Sequence, residues 1–327
     1  MQVSQLDVLC LGLVNVNLMI GPVDKGLFDR DISLIDEVIT IPGGDATNES
    51  VVLAKLGNRA GLVGMIGQDR FGDAIISALR ENGVHTDYVI ANHLARSSAC
   101  AVLFQSDGSR NFATFRGANE AFELKYFPPD ALNHTRILNV GSMFTMKSLD
   151  GAPMAKLLME AQARNVITSA DMKADTYHLG YQGIRCTMRH LDYFLPSYDE
   201  ATYLTGETDV ARMARVFLND GVRCVAIKLG AEGCYINDGR EEQIVPAFKA
   251  HAVDTTGAGD NFVAGFLHGV LRGWTVRECA LFGNAVGAVS VGHIGATTGV
   301  TGVHQVCQML MQTSEGAELA ERLEMRE

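Results

Sequence analysis

Most of the chain alternates short runs that are apolar on both faces with longer amphipathic stretches. A run of this kind is typical of a strand in a parallel sheet that helices cover on both sides. The predicted strands are Val8–Leu13, Ala60–Ile66, Ile137–Val140, Val166–Ala170, Leu191–Leu195 and Val225–Leu229. The predicted helices are Thr47–Leu56, Phe71–Glu81, Gly151–Arg164, Asp199–Leu204 and Asp209–Asn219. This order indicates right-handed βαβ units and therefore an α/β fold with a doubly wound, mostly parallel sheet flanked by helices.

The last third of the chain follows a different pattern. Two short strands are predicted at Cys234–Asn237 and Gln243–Pro246, and helices follow at Ala258–Leu271 and Arg277–Val291. The second of these helices is rich in alanine and glycine, so we expect it to pack closely against its neighbours. The acidic end, residues 314–327, is expected to be a solvated helix without a function.

Two segments, 15–41 and 99–116, interrupt the alternation with strand-like runs that leave no room for helices. The second segment is typical of a hairpin that turns at Asp107-Gly108. We expect both segments to form a small β-sheet over the main sheet, as a lid or as a contact between subunits. A peripheral hairpin without consequence is the alternative. Since no linker-like composition divides the chain, residues 1–327 are expected to form a single domain that carries this lid.

The formal net charge of −11 argues against a nucleic-acid-binding protein, which normally presents a basic surface. An anionic substrate stays compatible with this charge if basic groups gather locally. The seven cysteines are odd in number and form no CxxC pair, which is typical of buried thiols in a reducing cytosol. The first residues lack the features of a signal peptide, and no apolar run is long enough to cross a bilayer. We therefore expect a cytoplasmic protein.

The stretch DTTGAGDNF, residues 254–262, places three small residues and a carboxylate at the start of a predicted helix. The first N–H groups of a helix attract anions, and small residues let an anion approach them. The carboxylate of Asp260 would repel that anion unless it has a task, such as accepting a proton from a hydroxyl that attacks phosphorus. A tight loop with an aspartate near the helix N-cap is the structural alternative. The sequence contains neither a Walker loop nor a dinucleotide-binding fingerprint at its first strand.

A second glycine motif, PGGDATNESVVLAKLG, spans residues 42–57. Gly43 and Gly44 allow close backbone packing where a helix begins. Asp45 and Asn48 offer acceptors and donors suited to sugar hydroxyls, although Asp45 alone also fits a helix cap. Together the two motifs indicate one polyol site and one phosphate site on the same α/β scaffold.

Both motifs resemble the signatures of the ribokinase-like, or PfkB-type, carbohydrate kinases. Residues 43–50, with Gly57 and Gly67 following, resemble the N-terminal signature. Residues 254–260, which continue to Ala264-Gly265-Phe266, resemble the C-terminal signature. The likeness covers essentially the whole chain and is greatest to uncharacterised bacterial sugar kinases. It implies a ribokinase-like fold, a kinase that uses ATP and Mg²⁺ and, as in many relatives, a monovalent cation such as K⁺.

The resemblance also implies roles for individual residues. Asp260 would be the catalytic base, and the N–H groups of residues 257–259 (Gly257, Ala258 and Gly259) would form the anion hole. Glu200 would hold Mg²⁺, directly or through water, whereas Ser197 stands where the family has asparagine; an acid in the first turn of a helix is the structural alternative for Glu200. The expected nucleotide contacts are Ser197, Lys228, Gly230, Gly233 and Asn284, although Asn284 also fits a helix residue bonded to backbone. The expected K⁺ ligands are Asp254, Thr256, Ser290, Gly295 and Gly299.

The expected substrate contacts come from the end of the first strand, the first glycine motif and the lid. They are Asn15, Asn17, Gly43, Gly44, Asp45, Asn48 and Arg116. Asn17 stands where many relatives have aspartate and Asp45 where ribokinases often have lysine, so the sugar is not expected to bind as ribose does. Arg110 and Asn111 on the lid and Lys173 further along are additional candidates. A solvent-exposed charge is the preferred interpretation of the basic residues in this set, which are Arg110, Arg116 and Lys173.

We therefore predict an enzyme that uses ATP to phosphorylate a hydroxyl, preferably a primary one, of a monosaccharide or sugar acid. A nucleoside kinase of the same family is one alternative, since an apolar surface for a base is available from Val14, Val16, Phe104 and Phe115. A nucleotide- or sugar-binding regulator without catalysis is another, although the presence of Asp260 and Glu200 argues against it. The predicted partners are a small-molecule sugar and a second copy of the chain, joined through the lid as a homodimer. Neither nucleic acid nor a membrane is expected as a partner.

Overall fold

The computed structural model describes residues 5–106 and 109–324. Its strands are β1 (Leu6–Leu11), β2 (Asn15–Gly21), β3 (Glu37–Gly43), β4 (Ala60–Gly67), β5 (Val89–Asn92), β6 (Ser98–Phe104), β7 (Arg110–Phe115), β8 (Thr135–Met143), β9 (Ile167–Met172), β10 (Tyr193–Phe194), β11 (Cys224–Lys228), β12 (Cys234–Asn237) and β13 (Glu242–Val245). Its α-helices are α1 (Asp45–Lys55), α2 (Arg70–Glu81), α3 (Ala152–Gln162), α4 (Gly180–Met188), α5 (Tyr198–Thr205), α6 (Val210–Asn219), α7 (Ala258–Leu271), α8 (Val276–Ser290), α9 (Val303–Leu310) and α10 (Ser314–Glu324).

The main sheet has nine strands in the order β13-β12-β11-β10-β9-β8-β1-β4-β5. Every pairing from β11 to β5 is parallel, and β12 and β13 extend one edge by antiparallel pairing. The chain starts at β1, an inner strand, builds one side of the sheet through β4 and β5, and then crosses to β8 to build the other side. This reversal defines a doubly wound sheet, so the predicted fold class is confirmed. Such sheets bind ligands beyond the carboxyl ends of their strands, near the point of reversal.

Hydrophobic clusters cover both faces of the main sheet. Val8 and Cys10 of β1 belong to one cluster, whereas Leu9 and Leu11 belong to the other. Successive side chains of a strand point to opposite faces, so this division places one cluster on each side of the sheet. Helices α1, α7 and α8 contribute to the first cluster, and α3, α4 and α6 contribute to the second. The runs that are apolar on both faces in the sequence are therefore explained by burial on both sides.

The small sheet consists of β2, β3, β6 and β7, in the order β3-β2-β6-β7. Its strands come from the two segments that interrupt the α/β alternation, as the sequence predicts. Strands β6 and β7 pair in antiparallel fashion from Ala99 with Phe115 to Phe104 with Arg110, so the hairpin is confirmed. Its predicted turn at Asp107-Gly108 lies outside the described residues. Met19, Cys100 and Val102 form a separate small core within this sheet.

Some elements differ from the sequence predictions. Helices α4 and α9 and strand β5 are not predicted, because their short amphipathic or half-buried segments give weak periodicity. Helix α10 forms as predicted, but the expectation that it is solvated is wrong, because Leu319 and Leu323 are buried. Its many acidic side chains conceal an apolar stripe that packs on α9. None of the helices within the described ranges is both long and apolar enough to span a membrane.

Candidate active site

The start of α7 lies beside a loop from the C-terminal part of the chain. Gly257 is the N-cap of α7 with φ of +74°, and no side chain caps the helix. A Cβ on Gly257 would lie 2.6 Å from the Cβ and 2.9 Å from the carbonyl oxygen of Ala296. The Asn261 side chain donates to both sides of this contact, to the Gly257 carbonyl at 2.7 Å and to the Ala296 carbonyl at 2.6 Å. The first turn of α7 is therefore held against residue 296. The Ala258 N–H donates to the Thr255 carbonyl at 3.2 Å, and the partial positive charge of the helix start attracts an anion.

Asp260 lies in the first turn of α7 and is 9% exposed. Its Oδ2 accepts a hydrogen bond of 2.6 Å from the Asn48 amide of α1. Burial, followed by the negative charge of Asp45, raises the pKa of Asp260 to about 6, against the opposing effects of Lys173, Asn48 and Lys228. The carboxylate is thus a stronger base than an exposed aspartate and still loses its proton near neutral pH.

The first glycine motif brings α1 close to the small sheet. Gly44 is the N-cap of α1 with φ of +100°, and a Cβ there would lie 2.1 Å from the Leu13 carbonyl oxygen. A Cβ on Gly43 would likewise lie 2.2 Å from the Asn17 side-chain nitrogen. Asn17 in turn accepts a 2.7 Å hydrogen bond from the Asn15 amide. Only glycine permits this approach, which places the polar residues of α1 beside Asn15 and Asn17.

Asp45, the first residue of α1, is buried and bonded on both oxygens. Its Oδ1 accepts from the Lys173 ammonium at 2.5 Å, and its Oδ2 accepts from the Ser142 hydroxyl at 3.3 Å. The Lys173 side chain is 50% exposed, whereas that of Asp45 is 6% exposed. Lys173 is therefore a solvent-exposed charge, as the preferred interpretation has it, and it also pairs with a buried carboxylate. The pair presents a donor and an acceptor side by side at the carboxyl ends of β8 and β9.

A second buried ion pair lies beside α7. The Lys228 ammonium is 2.5 Å from Oδ2 of Asp171, and a Cβ on Gly259 would lie 3.3 Å from that ammonium. Burial lowers the pKa of Lys228, but the charges of Asp171 and Glu200 outweigh burial and raise it above its ordinary value. Burial raises the pKa of Asp171 to about 7, although Lys228 opposes the shift. A positive charge therefore lies next to the first turn of α7 at neutral pH.

Glu200 and Ser197 form a capping box at the start of α5. The Ser197 hydroxyl accepts from the Glu200 N–H at 3.3 Å, and the Glu200 carboxylate accepts from the Ser197 N–H at 2.7 Å. Serine thus performs the capping that an asparagine would perform there. Within residues 5–106 and 109–324, no three His, Cys, Asp or Glu side chains converge to hold a metal ion by themselves. One or two carboxylates fit Mg²⁺ when phosphates and water supply its other ligands.

A cavity of about 490 Å³ opens from the first turn of α7 toward α8. Its walls include Lys228, Gly230, Gly233, Gly259, Phe262 and Asn284. The Asn284 amide donates to the Val245 and Pro246 carbonyls at 2.9 and 3.2 Å, so it anchors the cavity wall as well as lining it. The mostly apolar lining beyond a positively charged mouth suits a planar base attached to phosphates.

Asp254 joins three parts of the structure. Its Oδ1 accepts from Arg110 of β7 at 2.6 Å and from the Thr256 N–H at 2.7 Å, and its Oδ2 accepts from the Gly295 N–H at 2.8 Å. Burial raises the pKa of Asp254, but these hydrogen bonds outweigh burial and leave the pKa below its ordinary value. Ser290 and Gly299, two further residues expected to bind K⁺, lie next to each other, because a Cβ on Gly299 would lie 2.8 Å from the Ser290 carbonyl oxygen.

Comparison with known proteins agrees with this geometry. The sequence pattern of the pfkB family of carbohydrate kinases matches residues 5–301. The chain belongs to this family. An uncharacterized sugar kinase of Archaeoglobus fulgidus is 30% identical over 248 residues, which cover 76% of this chain and 97% of that protein. The kinase is also similar to the crystal structure of a ribokinase from Thermotoga maritima, with a TM-score of 0.80 and 25% identity over 94% of this chain and 99% of that chain. The ribokinase of Arabidopsis thaliana in complex with ribose and ATP shares the fold, with a TM-score of 0.80 and 23% identity over 93% and 98% of the chains.

The family resemblance stated from the sequence is thus confirmed. The fold of this chain brings most of the expected site residues together. Arg116 lies further out, where its guanidinium donates to Thr176 at 3.4 Å. Asn111 is exposed on β7. Asp171 is not among the site residues expected from the sequence. Its position at the carboxyl end of a predicted buried strand is the signal that could have identified it, because doubly wound sheets bind ligands there. It also missed the Arg110–Asp254 pair, because residues 144 positions apart give no local signal.

Proposed function

We propose that this kinase transfers a phosphoryl group from ATP to a hydroxyl, preferably primary, of a monosaccharide or sugar acid. The observation that carries the proposal is the buried carboxylate of Asp260 within the N-terminal turn of α7. That turn attracts the phosphoryl group, and the carboxylate accepts the proton of the attacking hydroxyl. The neighbouring cavity of about 490 Å³ accommodates the nucleotide.

Each group near Asp260 has a separate part in the proposed reaction. The N–H groups of residues 257–259 hold the transferring phosphoryl group in line with the acceptor oxygen, and Lys228 offsets the negative charge beside them. Asn48 holds the carboxylate of Asp260 in place through its 2.6 Å hydrogen bond. Glu200 would hold Mg²⁺, directly or through water, and the ion would supply positive charge that neutralises the phosphates.

The proposed sugar site lies between α1 and the small sheet. Asn15, Asn17 and Asp45 offer donors and acceptors that match vicinal hydroxyls. The half-exposed ammonium of Lys173 beside Asp45 suits a substrate that carries a carboxylate. A sugar acid is therefore included with neutral monosaccharides. The small sheet acts as the lid of this single-domain enzyme and keeps water from the phosphoryl group.

A coupled ADP-release assay tests the proposal across neutral sugars, sugar acids and nucleosides. Turnover with at least one sugar or sugar acid supports it. Preference for nucleosides would favour the nucleoside-kinase alternative. Val14 and Val16 do not supply the apolar surface expected for a base, because both are buried in the core, so this alternative rests on Phe104 and Phe115. Tight ATP binding without turnover on any acceptor would favour a regulator and contradict the proposal.

The pH profile should report the base. Since Asp260 must be deprotonated to act and its pKa is about 6, kcat/KM should stay level above pH 7 and fall as the pH drops through 6. Below that point the loss should approach about tenfold per pH unit. Asp171, with a pKa of about 7, could also change the rate in this range. The same pH profile is therefore measured for Asp260→Asn, whose residual rate should not fall as the pH drops through 6. A wild-type rate that is level down to pH 5 would contradict the assignment.

We also propose that two copies of the chain associate through the small sheet. Its two edge strands and the segment before β3 carry exposed apolar side chains, with Phe28, Leu34, Val38, Phe112 and Phe115 each more than half exposed. Exposed apolar side chains on the edge strands of a sheet are typical of an interface.

Phe112→Glu should therefore convert a dimer into a monomer in sedimentation-velocity experiments, because a charge would be buried at the contact. Met159→Glu is the matched control, since Met159 is 50% exposed on α3, away from the small sheet. A monomeric wild-type protein, or a dimer that Phe112→Glu leaves intact, would exclude this surface. The cytoplasmic location remains a prediction.

A further inference from the structure

Arg110 connects the small sheet to the loop that precedes α7. It is the first residue of β7, and its guanidinium lies 2.6 Å from Oδ1 of Asp254. The side chain of Arg110 is 18% exposed and that of Asp254 is 1% exposed. Surface ion pairs such as Arg59–Asp7, where Arg59 is 51% exposed, contribute little because water screens them. The burial of the Arg110–Asp254 pair makes it a different kind of contact.

Asp254 in turn fixes the two loops that position the N–H groups of residues 257–259, which are here called the phosphate cradle. It accepts from Thr256, one residue before Gly257, and from Gly295, one residue before Ala296. Gly257 and Ala296 are the residues whose tight contact sets the start of α7. A displacement of the Asp254 carboxylate would therefore move both loops, and with them the N–H groups of residues 257–259.

A buried carboxylate of this kind needs a nearby positive charge. The resemblance implies that this charge comes from a monovalent ion bound by Asp254 and Thr256, whereas here a permanently charged guanidinium and the Thr256 N–H bond to Oδ1, and the Gly295 N–H bonds to Oδ2. The residues near Asp254 consequently do not fit an ion that requires this carboxylate as a ligand.

On the basis of the proposed kinase function, we propose that Arg110 is a positioning residue that replaces the monovalent cation at Asp254. Because Arg110 belongs to the small sheet, the phosphate cradle is complete only when that sheet lies over the active site. Closure of the sheet on the sugar and formation of the cradle for the phosphoryl group are then one event. This linkage limits phosphoryl transfer to water when no sugar is bound.

The test compares wild type, Arg110→Ala and Arg110→Lys in buffers that contain either KCl or tetramethylammonium chloride. Wild-type kcat should be the same in both salts. Without K⁺, Arg110→Ala should lose about 10- to 100-fold in kcat, because a cradle misplaced by a fraction of an ångström has this cost. Added K⁺ or guanidinium, at concentrations that leave the protein folded, should restore much of the loss. Arg110→Lys should lie between the other two.

Arg59→Ala is the matched control, since it breaks an exposed Arg–Asp pair far from the cradle, and its kcat should equal that of wild type in both salts. Activation of the wild type by K⁺, an unchanged Arg110→Ala enzyme, or a loss that neither cation restores would each overturn the proposal. Thermal unfolding gives a second readout that does not depend on turnover. K⁺ should raise the Tm of Arg110→Ala and leave that of the wild type unchanged. If no acceptor is phosphorylated, the proposed function fails, and this Tm comparison still decides whether Arg110 replaces the ion.

Discussion

Replacement of Asp260 by asparagine should lower kcat by roughly 100-fold or more and leave the affinity for ATP nearly unchanged. Asparagine has the same shape and still offers an oxygen to the Asn48 amide, which lies 2.6 Å from the carboxylate. It cannot accept a proton near neutral pH, so the attacking hydroxyl keeps its proton in the transition state. Asp260 does not line the cavity of about 490 Å³ that we propose for the nucleotide. Steady-state kinetics and calorimetric titration with ATP measure the two effects.

Asp209→Asn provides the control for this substitution. Asp209 caps α6 through a hydrogen bond to the Arg212 N–H, and asparagine is an equally good cap. The control therefore makes the same chemical change at a helix N-terminus without touching the site, and its kcat should match the wild type. An Asp260→Asn enzyme with near-normal turnover would remove Asp260 from the role of base. A parallel loss of ATP affinity would indicate that the carboxylate is needed to hold the first turn of α7 instead.

Features that depend on local pattern were predictable from the sequence. Helix α7 begins and ends where the pattern predicts, because glycine and an apolar face at helical spacing mark it. The two glycine motifs predicted close backbone packing, and it occurs, because only glycine permits the approach of the Leu13 carbonyl to Gly44 and of Ala296 to Gly257. Any sequence with this backbone needs glycine at these positions, because a side chain there would clash with the neighbouring backbone.

Contacts between distant segments were not predictable in the same way. Lys173 and Arg110 look like ordinary surface charges in the sequence, yet each lies within 2.6 Å of a buried carboxylate. Asp171 carries no local motif, and burial, with the negative charge of Glu200, raises its pKa to about 7 against the opposing charge of Lys228. The charge balance of the site is a property of the folded sheet, since strands β8, β9 and β11 bring these groups to one edge. For the same reason the acidic α10 was expected to be solvated, although its apolar stripe is buried.

The second large effect is expected from Gly257→Ala. At φ of +74° an alanine is strained by about 1–2 kcal/mol, and its Cβ would also lie 2.8 Å from the Cα of Ala296. The Cα of Ala296 is backbone and its Cβ is a short side chain that cannot turn away, so the two loops must move apart. The N–H groups of residues 257–259 would then miss the transferring phosphoryl group, and kcat/KM should fall about 100-fold. Kinetics and denaturant unfolding of the same preparation measure the catalytic and the conformational cost.

Gly273→Ala separates these two costs. Gly273 follows the other end of α7 with φ of +71°, and a Cβ there has no atom within 4 Å. Both variants should therefore show the backbone strain as a similar loss of unfolding free energy, whereas only Gly257→Ala should lose catalysis and further stability through the contact with Ala296. If Gly273→Ala lost as much activity as Gly257→Ala, general destabilisation of α7 would explain both results. If Gly257→Ala kept its activity, phosphate recognition by the first turn of α7 would be excluded, because that turn cannot keep its position with a methyl group facing Ala296.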